Sequence, residues 1–163
     1  MNKMKNKAVP LLVLMFLCSL GSSYAQAADA LTFPQLDSLQ KVEQKPVLVF
    51  IHTSWCKYCE AMEHGTFQNQ EIKELLEKKF YFVELNAEEK QDISVQGHTF
   101  RYRPTGTGAG LHELAQELGM IDGKISYPTL CFLNPDYEII YQNPGFLTAK
   151  QLIKMLRALG SRM

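Results

Sequence analysis

Apolar positions along the chain form runs of distinct kinds, and each predicts an element. Residues 47–51 (VLVFI) and 129–133 (TLCFL) are short continuous runs. Such runs read as strands buried on both faces. Residues 81–85 (YFVEL) are rich in β-formers and predict another strand. Other apolar residues recur at helical spacing. Thr32 caps a first helix with Pro34 in its opening turn and Phe33, Leu36, Leu39 and Val42 as its stripe, ending near Lys45-Pro46. A second helix opens at or near Cys56 and runs towards His64, where Gly65 interrupts it. Asn69 caps a third, carrying Ile72, Leu75, Leu76 and Phe80. Leu111, Leu114, Ala115 and Leu118 mark a short fourth helix stopped by Gly119, and Thr148 caps a last one with Leu152, Ile153, Leu156 and Leu159 inward. Ile93, Val95, His98, Phe100 and Tyr102 flank Gln96-Gly97, a hairpin signal, whereas residues 104–110 (PTGTGAG) read as loop by composition. After the turn Asn134-Pro135-Asp136, residues 137–141 return as an antiparallel strand. The order predicts an α/β fold: one central mixed β-sheet with helices on both faces, with no internal repeat and no second domain.

The first run stands apart. Lys3, Lys5 and Lys7 precede a nearly unbroken apolar stretch, residues 8–20. It is shorter than the roughly 20 residues a spanning helix needs. Gly21, Ser22 and Ser23 break it, and Ala25-Gln26-Ala27 places small residues where a signal peptidase reads. Residues 1–27 are therefore expected to be a secretory signal peptide, leaving residues 28–163 as one domain outside the cytoplasm, with no stable membrane insertion after cleavage. In a cell with two membranes that space is the periplasm. A lipid anchor on Cys18 is a poor fit, because Leu17 stands where lipoprotein signals carry a small residue.

Composition narrows the function classes. The chain is 46% hydrophobic and 21% charged, with 17 basic and 17 acidic residues, which fits a folded soluble protein. A formal charge of zero offers nothing to nucleic acid. Beyond the leader, the cysteines are Cys56, Cys59 and Cys131, so at least one is unpaired within the chain.

Cys56-Lys57-Tyr58-Cys59 follows a buried strand and opens a helix, a setting that carries more information than the spacing. Free N–H groups and partial positive charge at a helix N-terminus favour thiolate over thiol. Cys56 is therefore the candidate attacking thiol. Cys59, three residues on along the same face, is the candidate resolving thiol that attacks a mixed disulfide formed on Cys56. Lys57 adds to the activation of Cys56, and Glu60 and Glu63 oppose it. Three other readings compete: a structural disulfide, a zinc site, and covalent haem. A disulfide at so short a loop stabilises a fold little. Zinc needs two further ligands, with His52 and His64 the near histidines. Haem needs histidine after the second cysteine, where Glu60 stands. Gly106 to Gly110 lacks the strand and the Lys-Ser/Thr pair of a phosphate loop. Cys131 reads as an inert core thiol, and His98 and His112 as surface or loop residues. His52, at the mouth of its strand, is placed to tune the thiolate.

A strand, Trp55-Cys56-x-x-Cys59, a helix, and much later Tyr127-Pro128-Thr129 before a buried strand together resemble the thioredoxin superfamily. The resemblance runs from about residue 45 to 159. It implies that Pro128 is cis and packs beside a redox-active Cys56–Cys59 disulfide. It also implies that Trp55, Tyr127 and Pro128 bind substrate, with the backbone at Tyr127 pairing with the substrate chain. The segment HTSWCKYCEAMEHGTF is similar to the C-terminal domain of the membrane thiol:disulfide transporter DsbD and to its soluble relatives. That likeness implies a reductase acting on protein thiols and disulfides, fed by a membrane electron donor of the DsbD type and needing no bound cofactor or metal. Two departures stand out. The family's buried aspartate six residues before the first cysteine is replaced by Phe50, so Glu63, one turn after Cys59, is the candidate proton acceptor. Residues 91–110 form an insert before the helix that leads to the proline, an elaboration able to select a partner.

The sequence thus supports a thiol–disulfide oxidoreductase, working as reductase, oxidase or isomerase. The alternative is a non-enzymatic module that holds a metal through Cys56, Cys59 and a histidine and delivers it to another protein.

Overall fold

The computed structural model describes residues 30–106 and 108–161; the expected leader, residues 1–27, lies outside the described residues. Among the described residues no helix is long and apolar enough to cross a membrane.

Helix α1 (Phe33–Gln40) starts after Thr32, whose N–H and hydroxyl both reach Gln35 Oε1 at 2.9 Å. Strand β1 (Val47–His52) leads into α2 (Lys57–His64), a 3-10 turn (Thr66–Gln68), α3 (Gln70–Lys79) and β2 (Tyr81–Asn86). The Asn69 side chain accepts N–H bonds from Glu71 and Ile72, the cap the sequence predicts for α3. Two hairpins follow, β3 (Ile93–Val95) with β4 (His98–Phe100) and β5 (Tyr102–Gly106) with β6 (Ala109–His112). Then come α4 (Glu113–Gly119), the short pair β7 (Met120–Ile121) and β8 (Lys124–Ile125), β9 (Thr129–Leu133), β10 (Ile139–Pro144) and α5 (Ala149–Gly160).

The central sheet has the order β10-β9-β1-β2. Strand β1 pairs in parallel with β2 and antiparallel with β9, so the sheet is mixed. Every side chain of β9 is buried, and all of β1 up to Ile51, because helices cover both faces. Alternate residues feed two cores. Val47, Val49 and Ile51 face one with Phe33, Leu36, Leu114 and Leu118, from α1 and α4. Leu48 and Phe50 face the other with Met62, Ile72, Leu76, Leu152 and Leu156, from α2, α3 and α5, and with Cys56 and Cys59.

Four local expectations are corrected. Helix α1 stops at Gln40, and Leu39 and Val42 are 37% and 86% exposed, because the chain turns there to reach β1. Gln40 anchors that turn, its amide bonding both backbone groups of Lys45. Residues 104–110 lie largely within the β5–β6 hairpin, whose backbone pairing needs no apolar pattern. His112 is fully buried rather than at the surface: its Nδ1 accepts the Leu114 N–H at 3.2 Å and caps α4, and its Nε2 lies 3.2 Å from the Gln91 carbonyl. The strand expected at 137–141 instead spans β10, three residues further at its end, with a register irregularity between Ile139 and Tyr141.

Candidate active site

The end of β1 delivers the chain to the N-terminus of α2, and the two cysteines sit at that junction. Cys56 is the N-cap residue of α2, with extended backbone. Its N–H donates to the Thr53 carbonyl at 3.2 Å, and its Sγ accepts the Cys59 N–H at 3.1 Å. The two sulfurs are joined as a disulfide, with Cα atoms 5.2 Å apart. Cys56 retains 7% of its surface and Cys59 1%. A thiol partner from outside therefore meets Cys56 first, and Cys59 is reached from within. When the bond opens, Cys56 Sγ stays at the positive end of α2 with an N–H aimed at it, and both features stabilise thiolate.

Aromatic side chains surround this junction. Trp55 is 64% exposed and meets Tyr127 edge-on, with ring centroids 5.8 Å apart. Its indole Nε1–H donates to Glu88 Oε1 at 3.1 Å. Burial, and then the charge of Glu88, push the Tyr127 phenol above its ordinary pKa. The Tyr127–Pro128 peptide bond is cis, and the Pro128 carbonyl accepts the Gly145 N–H at 2.7 Å. Tyr58, inside the Cys-x-x-Cys, is 68% exposed and lies 6.4 Å from the ring of Phe146.

Glu63 stands one turn after Cys59 on α2, with its carboxylate 3.7 Å from His52 Nδ1. That separation is too long for a hydrogen bond. Burial holds the His52 imidazole below its ordinary pKa, and the negative charge of Glu63 partly offsets it. Phe50 occupies the buried position that the resemblance assigns to an acid, packed edge-on against Phe67 at 4.9 Å. The nearest acid on the sheet is Glu84, in register with Phe50 on the neighbouring strand. Glu84 keeps an exposed surface, yet the protein around it and then the charge of Glu63 raise its carboxyl pKa.

The structure thus gathers Trp55, Cys56, Cys59 and Tyr127 at one junction and places Glu63 beside His52. Cys131 is buried in β9, and burial pushes its thiol up to about 12. Sequence reasoning missed Glu84, Glu88, Tyr58 and Phe146. Glu84 carried a signal, being the one acid in the run YFVEL. Phe146 carried none, because only the fold brings its loop to Tyr58.

The family model for the thioredoxin-like domain matches residues 35–160, and the chain belongs to that family. Over 70 residues it is 37% identical to spermatogenesis-associated protein 20 of Rattus norvegicus. That match covers 43% of this chain and only 9% of the relative, so the chain spans about a tenth of that protein's length. Solved structures of similar fold include a thioredoxin from Thermus thermophilus, with a TM-score of 0.56 and 21% identity over 78% of this chain and 83% of that one. They also include the C-terminal domain of DsbD from Neisseria meningitidis in its reduced form, with a TM-score of 0.51 and 18% identity over 77% and 90%. At these identities the likeness is one of fold.

Proposed function

We propose that the chain is a thiol–disulfide oxidoreductase that exchanges its Cys56/Cys59 dithiol with the disulfides of protein substrates. The observation that carries this reading is the Cys56–Cys59 disulfide at the N-terminus of α2, with Cys56 the less covered of the two residues at 7% against 1%. In the reducing direction the Cys56 thiolate attacks a substrate disulfide and displaces one substrate thiolate. Cys59 then attacks Cys56 Sγ, closes the intramolecular disulfide and releases the second substrate thiolate. Two electrons pass to the substrate. Glu63 accepts the Cys59 proton, while Trp55, Tyr127 and the Pro128 loop hold the substrate chain.

Similarity of the Cys-x-x-Cys segment to DsbD-type domains supports the reducing direction. Electrons then come from a membrane donor of that type. The basic, apolar and small-residue pattern of residues 1–27 supports secretion to the periplasm, with residues 28–163 as the working domain.

Trapping of the covalent intermediate tests this. Cys59→Ser should accumulate mixed disulfides with protein substrates through Cys56, and Cys56→Ser should accumulate none through that sulfur. If Cys59→Ser traps nothing, the oxidoreductase reading falls.

A further inference from the structure

Cys59 is 1% exposed, so the proton it gives up on attacking Cys56 has no direct path to water. An acceptor must come from the protein. Three titratable side chains from three elements lie near one another: Glu63 stands 3.7 Å from His52 and lines one cleft with Glu84. His52 ends β1 on the Phe50 face, and its imidazole stacks on the Phe50 ring at 5.3 Å with planes 11° apart. Phe50 belongs to the same core as Cys59. Glu63 follows Cys59 at i+4 on α2, a spacing that puts Cβ atoms about 5–6 Å apart. Its carboxylate faces His52 Nδ1, and the two side chains are 32% and 20% exposed. Glu84 approaches from β2.

We propose that His52 is a positioning and proton-sharing residue of the resolving step, which with Glu63 takes up the proton that leaves Cys59. This rests on the oxidoreductase reading above. The Cys59 S–H bond breaks and its proton passes to the Glu63–His52 pair. The Cys59–Cys56 S–S bond forms as the bond from Cys56 to the substrate sulfur breaks, and the substrate thiolate leaves with the electron pair. The proton then passes to that thiolate or to water.

The surroundings of the pair fit this task. Burial keeps the imidazole neutral at neutral pH and so able to accept. Stacking on Phe50 fixes its plane. The cleft beside the pair, about 230 Å³, is lined by Glu63, His64, Phe67, Lys73, Phe82 and Glu84. The other charged and titratable groups lining the cleft beside Glu63 are therefore His64 from α2, Lys73 from α3 and Glu84 from β2. Lys73 Nζ is turned to Gln68 Oε1 at 2.8 Å, which leaves Glu63 as the carboxylate that stabilises an imidazolium at His52.

Single-turnover exchange with oxidised glutathione separates the two steps. In Cys59→Ser, the rate of glutathione attachment to Cys56 reports the first. In the protein with both cysteines, glutathione release from Cys56 reports the second. His52→Gln should slow release about 10–100-fold at pH 7, the scale of general acid–base assistance. It should also remove the fall in release rate that the parent protein shows as pH drops through the lowered pKa of His52, below the ordinary histidine value. Attachment, measured with His52→Gln added to Cys59→Ser, should change much less than release, and its persistence also shows that the site is folded. Glu63→Gln, on the helix surface, should slow release and move the same limb even if His52→Gln disturbs packing. Release with unchanged rate and pH profile in both variants overturns the proposal and leaves the oxidoreductase reading standing. Absence of glutathione attachment to Cys56 in Cys59→Ser overturns both.

Discussion

The indole of Trp55 meets the ring of Tyr127 edge-on across the mouth of the Cys-x-x-Cys, 5.8 Å from centroid to centroid. One ring precedes α2 and the other precedes β9, so the pair joins the two segments between which the reading proposed above places a substrate chain. Edge-to-face aromatic pairs contribute about 0.5–1.5 kcal/mol beyond area burial. Trp55→Ala should therefore raise KM for a protein disulfide about 2–10-fold and change exchange with oxidised glutathione little. Steady-state kinetics with both substrates check this.

Thiol accessibility should divide the cysteines sharply. Cys131 lies in the fully buried β9, and burial holds its thiol at about 12. In reduced protein beginning at residue 28, a thiol reagent at neutral pH should modify Cys56 rapidly and Cys131 only after denaturation. Rapid labelling of Cys131 in the folded protein would contradict its placement in the core.

His52 should leave a mark on stability as well as on catalysis. Its native pKa lies below the ordinary value of 6.5, with burial as the larger cause. The unfolded chain therefore binds a proton at this site sooner than the native chain as pH falls. Its stabilising share is complete above about 6.5 and declines as pH falls from there towards the lowered native value. His52→Phe should flatten that part of the stability curve, measured by urea unfolding at several pH values. An unchanged slope would contradict a buried neutral imidazole.

Asp37 on α1 ties down two separate segments. Its Oδ1 accepts the Tyr137 hydroxyl at 2.6 Å, and its Oδ2 accepts the Gln96 N–H in the β3–β4 turn at 2.8 Å. Burial, then the bond to Asp37, push the Tyr137 phenol far above its ordinary range. Tyr137→Phe should cost about 1–2 kcal/mol, and Asp37→Ala about 2–3 kcal/mol because both partners lose their acceptor. Chemical denaturation of the two variants measures the difference.

The central elements were legible because their signals are local. Continuous apolar runs at 47–51 and 129–133 allow little besides buried strands, and Asn69 announces the start of α3 through its own side chain. The cysteines were legible for a similar reason: a Cys-x-x-Cys after such a strand sits at a helix N-terminus by construction. The insert was harder. Gln96-Gly97 fixed one hairpin, with both residues at positive φ, 50° and 81°. The β5–β6 pair is held by backbone bonds between residues whose composition suggests loop, and by Glu113, which accepts the Arg101 N–H at 2.7 Å. His112 misled because its burial depends on the β6–α4 junction meeting the segment of Ala87 and Gln91. Glu63 was singled out by spacing along α2. Its pairing with His52 and its proximity to Glu84 required the register of β1 with β2, which no single segment encodes.

The reduction potential of the Cys56/Cys59 pair, measured by equilibrating residues 28–163 against glutathione and dithiothreitol buffers, tests the central claim most directly. The account predicts one reversible two-electron transition near or below about −250 mV, in the range of reducing dithiols, and its loss in Cys56→Ser. A midpoint at about −120 to −180 mV would contradict the reducing direction and make the protein an oxidant or isomerase. No reversible transition at all would contradict thiol–disulfide exchange itself.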